Sequence, residues 1–132
     1  MKILMLNYEF PPMGGGAGNA TNRISKELIK HGHEVSVLTS GFKGLSKFEI
    51  LDGVKIYRVL SWRKGIHDCG FRGAYTYLIS ASIKILKLRK NNYDLLHYFF
   101  SLPTGLLSFV ALPFREVPYV ISLRGSDVPY YD

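Results

Sequence analysis

Residues 2–39 hold the pattern that most narrows the fold. Lys2-Ile-Leu-Met-Leu-Asn7 is a short, nearly unbroken apolar run, as expected for a parallel strand buried on both faces. A loop rich in proline and glycine follows, Pro11-Pro12-Met13-Gly14-Gly15-Gly16-Ala17-Gly18. Ala17, Ala20, Ile24 and Leu28 then recur at helical spacing, with Arg23, Lys26, Glu27 and Lys30 on the other faces. That is the apolar stripe of an amphipathic helix. Gly32 stops it as the glycine just past a helix end, and His31 sits where a helix C-terminus favours positive charge. Glu34-Val-Ser-Val-Leu-Thr39 supplies a second strand, so the segment is a βαβ unit.

The rest of the chain keeps that alternation. Phe48–Leu51 and Val54–Val59 flank Asp52-Gly53, whose residue types accept the positive φ angles of a tight hairpin turn. Residues 60–72, with Trp62, Arg63, Lys64, His67 and Cys69 among glycines, read as a loop. Gly73 to Ile83 carry no charge and run into Lys84, Lys87, Arg89 and Lys90, a helix buried early and basic at its end. Asp94–Phe100 reads as a buried strand, Pro103–Phe114 as a helix with proline at its start, and Tyr119–Leu123 as a further strand. The predicted fold class is α/β: an open, mostly parallel Rossmann-like sheet with helices on both faces and an edge β-hairpin.

With 132 residues, 47% of them hydrophobic, the chain has room for one domain with a real core and no need of disulfide or metal staples. Cys69 is the only cysteine, which excludes an internal disulfide and a cysteine-rich zinc site and suits a reducing, cytoplasmic setting. The apolar start meets Asn7 and Glu9 too soon for a signal peptide, and Pro103, Gly105 and Pro113 interrupt the greasy stretch from Leu102 to Phe114. The formal charge of +7 is local: residues 41–90 carry eleven Lys/Arg against three Asp/Glu, and the remainder six against seven. A basic face of this kind suits an anionic membrane surface, nucleic acid or phosphorylated ligand; a solvated lysine-rich face is the plain alternative.

Two constellations carry chemistry. Glycines at 14, 15, 16 and 18 let backbone N–H groups come close to a ligand at a helix N-terminus that favours an anion such as phosphate. In an open α/β sheet, ligands bind at this carboxyl edge of the strands. The loop is no dinucleotide fingerprint, because Asn19 stands where a third glycine or alanine belongs and the second strand ends Thr39-Ser40-Gly41 without an acid for a ribose hydroxyl. The second constellation is Ser122-Leu123-Arg124-Gly125-Ser126-Asp127-Val128, at the same edge. There Arg124 can pair with phosphate or carboxylate, and Asp127 can accept from sugar hydroxyls or cap a helix. These two are the candidate catalytic residues. His97, inside an apolar strand, reads as a core histidine.

In order and spacing, the chain resembles the N-terminal half of family 4 (group 1) retaining glycosyltransferases of the GT-B fold. Carrying the likeness are Pro11-Pro12 with Gly14-Gly15-Gly16, Lys30-His31-Gly32-His33-Glu34-Val35, Leu51 to Val59, Asp94-Leu95-Leu96-His97, Pro103-Thr104-Gly105 and Leu123-Arg124-Gly125-Ser126-Asp127-Val128. The resemblance implies that residues 1–132 are the acceptor-side domain, that the C-terminal donor-binding domain is absent from this chain, and that the fragment alone does not turn over. It implies that Gly15 and Gly16 lie against the diphosphate of a nucleotide sugar. Many members place a histidine, in a His-Gly-x-Asp pattern contacting the sugars, where this chain has Arg124; an arginine acts there as a charge clamp and not as a base.

For the complete enzyme the resemblance implies transfer of a sugar from a nucleotide-diphosphate sugar to a hydroxyl of a glycan or lipid-linked acceptor, with retention and with neither metal nor cofactor. The expected location is cytoplasmic, peripheral on the inner face of the cytoplasmic membrane, docked through residues 41–90; nucleic acid is not an expected partner. The competing readings are an NAD(P)-binding Rossmann protein, disfavoured by the missing ribose acid, and a non-enzymatic basic binding module.

Overall fold

The computed structural model describes residues 1–110, 117–124 and 127. The elements in chain order are β1 (Lys2–Leu6), α1 (Gly16–Lys30), β2 (Glu34–Ser40), β3 (Phe48–Leu51), β4 (Val54–Val59), α2 (Gly70–Leu88), β5 (Leu95–Phe99), α3 (Leu107–Val110) and β6 (Tyr119–Ser122). Short 3₁₀ turns occupy Arg89–Asn91 and Thr104–Leu106. Six strands form one sheet in the order β3-β4-β2-β1-β5-β6. Every pairing is parallel except β3 with β4. Met5 stands level with Val37 on one side and His97 on the other, which puts β1 in the middle and explains its unbroken apolar run.

Alternating side chains of the strands feed two cores. On one face Ile3, Met5, Val35, Val37 and Ile56 pack with Ile24, Leu28 and Ile29 of α1. On the other, Leu4, Leu6, Leu38 and Tyr98 pack with Tyr77, Ala81, Ile85 and Leu88 of α2. Helices therefore cover both faces, as the sequence pattern predicts. The hairpin also lies at the sheet edge: Asp52 and Gly53 take φ of 50° and 83°, the left-handed pair that a two-residue turn between antiparallel strands requires.

Three details depart from the sequence reading. The most buried residues of α1 are Gly18, Thr21 and Ser25, one position round from the predicted stripe. Small residues there let the helix settle close to the loop before it: a Cβ on Gly18 would lie 3.1 Å from the Met13 carbonyl oxygen. Next, α2 begins at Gly70 and not at Gly73, and it is not buried early, since Phe71 is 87% exposed and Tyr75 is exposed beside it. Gly73 is a packing glycine and no helix breaker; a Cβ there would meet Cys69 Sγ at 2.9 Å. Last, Thr104 to Leu106 form a 3₁₀ turn before α3, and the predicted helix end at 111–114 lies outside the described residues.

Candidate functional site

The glycine loop is shaped from beneath by Asn7, fully buried at the end of β1. Its Nδ2 donates to Thr21 Oγ1 at 2.8 Å, and its Oδ1 accepts from the Glu9 N–H at 3.0 Å. One side chain thus ties the loop start to α1. Gly14 takes φ of +81° and lies so close to Glu9 that any side chain would collide with it. Gly18 is buried against loop backbone. Gly15 and Gly16 differ, because a Cβ on either would meet nothing within 4 Å. Of the four candidate glycines, two set the loop's shape and two face open space at the N-terminus of α1, where no side chain caps the first turn. The first backbone N–H groups of a helix lack partners within it, so they remain donors for an anion.

Glu9 reads in the sequence only as a charge that ends the apolar start. Its Oε2 accepts from the Gly15 N–H at 3.4 Å, so a carboxylate borders the loop. A second frame comes from residues 63–67. Arg63 is 8% exposed; its Nη1 donates to the Tyr8 carbonyl at 3.1 Å and to Ser40 Oγ at 2.9 Å. Its Nε and Nη2 donate to the Gly65 and Ile66 carbonyls, each at 3.4 Å. The Ile66 carbonyl in turn accepts from the Gly14 N–H at 3.0 Å, and His67 Nδ1 lies 3.0 Å from the Gly14 carbonyl. A segment read only as a basic loop is the brace of the glycine loop. Nothing in the residue types of 60–69 announced this, because a cation among glycines reads as solvent-facing until the fold closes over it.

The second constellation meets the first through Tyr8, whose ring centroid lies 5.4 Å from that of Phe100. Burial, with Glu9 adding to it, pushes the Tyr8 phenol up to about 12. Beyond Phe100, Asp127 accepts from the Ser101 N–H and hydroxyl, both at 2.8 Å, and from the Arg124 N–H at 3.4 Å. Partial burial would raise its carboxyl, yet these hydrogen bonds outweigh it and hold the group below its usual value. Asp127 therefore joins the loops after β5 and β6. Arg124 places its guanidinium 5.6 Å from the Phe99 ring centroid, with Nε buried and unpartnered. His97 bonds Ser122 Oγ at 2.7 Å and stacks on Phe99; burial, then Arg124, lowers its pKa, which fits a neutral structural histidine. Gly125, Ser126 and Val128 lie outside the described residues.

Among the described residues no group of three His, Cys, Asp or Glu is placed to hold a metal ion, and no helix is long and apolar enough to cross a membrane. The predicted basic segment divides. Arg58, paired with Glu49 at 2.7 Å, and Arg63 are inside the protein, so the outward charge of 41–90 rests mainly on lysines.

A parallel sheet with helices on both faces and a glycine loop at its carboxyl edge defines a Rossmann-like domain of the kind that makes up each half of GT-B glycosyltransferases. The family described as Glycosyltransferase Family 4 matches residues 14–132, and the chain belongs to that family. It is 29% identical to the uncharacterised glycosyltransferase MJ1607 of Methanocaldococcus jannaschii, over 97% of this chain and 32% of that protein. It is 28% identical to the Bacillus subtilis glycosyltransferase TuaC, named for teichuronic acid biosynthesis, over 99% of this chain and 38% of that one. The chain thus spans about a third of the length of the relatives it matches. Its fold is similar to part of sucrose-phosphate synthase from Thermosynechococcus elongatus, with a TM-score of 0.69 at 14% identity, over 94% of this chain and 33% of the other.

Proposed function

We propose that this chain is the N-terminal, acceptor-side half of an enzyme that transfers a sugar from a nucleotide-diphosphate sugar to an acceptor hydroxyl with retention, and that it does not turn over alone. The observation that carries this reading is the pair Gly15 and Gly16, open to solvent at an uncapped helix N-terminus on the carboxyl edge of the sheet. Backbone N–H groups from Gly16 onward, unlike that of Gly15, which donates to Glu9 Oε2 at 3.4 Å, lack partners within the helix and stabilise the charge that develops on a departing diphosphate. Arg124, whose backbone N–H donates to Asp127 after β6, adds a positive charge at the same edge of the sheet. No metal or cofactor enters this reading.

The acceptor is a glycan or a lipid-linked molecule, met at the inner face of the cytoplasmic membrane, with the basic side of residues 41–90 toward anionic lipid. In the test, the full-length protein is incubated with a panel of nucleotide-diphosphate sugars and membrane extract, and the product's anomeric configuration is read by proton NMR. Retention in the full-length protein, unaffected by EDTA, with no turnover by residues 1–132, is the expected result. An inverted product, or turnover by residues 1–132 alone, overturns the reading.

A further inference from the structure

Glu9 is a half-buried carboxylate just past the carboxyl end of β1, beside the loop that leads into α1. Its backbone N–H is fixed by Asn7 Oδ1 at 3.0 Å. Its stem lies over Gly14 so closely that a Cβ there would sit 2.5 Å from Glu9 Cβ. Its Oε2 then accepts from the Gly15 N–H at 3.4 Å. Every ion pair among the described residues uses another carboxylate. Arg63, beneath the loop, spends its donors on carbonyls and the Ser40 hydroxyl. Glu9 is therefore a positioned anion without a paired cation, one residue from the Gly16 N–H. A carboxylate at a helix N-terminus favours the fold, but it opposes a second anion that comes to the same donors. Tyr8 already feels this charge, because burial and then Glu9 push its phenol upward. The opposition grows with the charge of the ligand. A nucleotide-diphosphate sugar carries about two negative charges on its phosphates. Once the bond from the sugar to the phosphate oxygen breaks, the freed nucleoside diphosphate carries about three at pH 8, since a terminal phosphate loses its second proton at roughly pH 6.

We propose that Glu9 makes the loop selective for a diphosphate ester over a free diphosphate, so that the donor binds and the spent nucleotide leaves. This selectivity rests on the proposed function for placing a diphosphate at Gly16. Full-length protein and its Glu9→Gln variant are titrated by calorimetry with UDP and UDP-glucose, GDP and GDP-mannose, and ADP and ADP-glucose. Glutamine keeps the length of the side chain and an oxygen for the Gly15 N–H, so the thermal melt stays in place and only the charge goes. For the nucleotide that binds, E9Q tightens the free diphosphate roughly tenfold more than the sugar ester. In about 0.5 M salt this difference between the two proteins narrows. Glu9→Ser, neutral and too short to reach Gly15, moves the preference the same way. A residue that only shapes the loop would instead change both ligands alike. An equal change for free diphosphate and ester, an unchanged preference in both variants, or a difference that salt leaves intact overturns the proposal while the donor loop stands. Failure of every one of these nucleotides to bind the wild-type protein overturns the proposed function, and this selectivity with it.

Discussion

Replacing Arg63 by methionine lowers stability by about 2–4 kcal/mol, because the carbonyls of Tyr8, Gly65 and Ile66 and the Ser40 hydroxyl lose a charged donor at once. For a domain of this size that is a fall of roughly 8–16 °C in the melting temperature. Methionine fills the space of the aliphatic stem, so the loss reports the hydrogen bonds more than a cavity. Lysine restores part of it, since one ammonium reaches some of these acceptors but not all of them in the guanidinium's fork. Hydrogen exchange adds a local readout. The Gly14 amide, bonded to the Ile66 carbonyl, exchanges faster in R63M than amides in the centre of β1. A drop below about 0.5 kcal/mol, the size of an ordinary surface substitution, with Gly14 still protected, would show that Arg63 braces nothing.

Between pH 10 and 12 the protein loses stability steeply. Burial pushes the phenols of Tyr8 and Tyr98 up to about 12 and that of Tyr77 beyond this range. In the unfolded chain these groups release their protons near the ordinary phenol value of 10.0. Above that pH the unfolded state binds fewer protons than the folded one, so rising pH favours unfolding. The stabilisation is fully present below pH 10 and is lost as pH climbs toward the folded values. Each tyrosine contributes about 1.4 kcal/mol per pH unit, and allowing for the partial exposure of Tyr8 the slope approaches roughly 3 kcal/mol per unit. Tyr77 also donates to the Leu38 carbonyl at 3.0 Å from a fully buried position. Its phenylalanine variant is therefore less stable at pH 8 yet shows a shallower alkaline slope. Urea melts at pH 8, 10 and 11 measure both, and a flat profile through pH 11 contradicts the buried placement of these rings.

Much of the fold was legible because burial on both faces leaves a plain mark. The runs at Lys2–Asn7, Glu34–Thr39 and Asp94–Phe100 carry almost no interior charge, and Asp52-Gly53 states its turn outright. What stayed hidden depends on contacts between distant segments. Gly73 carries the same letter as a helix breaker, but its task is to let Cys69 and Arg63 approach α2. Gly18 looks like a member of the ligand loop, yet backbone fills the space where its side chain would be. Asn7 reads as the end of a strand until Thr21 is placed 2.8 Å away. For Arg58 and Arg63, burial becomes visible only when Glu49 and a set of carbonyls are found around them. The glycines mark the candidate loop in the sequence; its supports come from residues 14 to 55 positions apart.

The open space beside Gly16 permits a direct test of the donor loop. A valine there projects into solvent and strains no contact of the chain, so Gly16→Val should leave the melting temperature of the full-length protein within about 2 °C. The same side chain stands where, on the proposed function, the donor diphosphate approaches the helix N-terminus. The decisive measurement is kcat/KM for the nucleotide-sugar donor in full-length G16V. A fall of roughly a hundredfold or more, the scale of losing preorganised backbone donors, with folding intact is the predicted result; an unchanged kcat/KM would contradict the assignment of this loop to the donor phosphates.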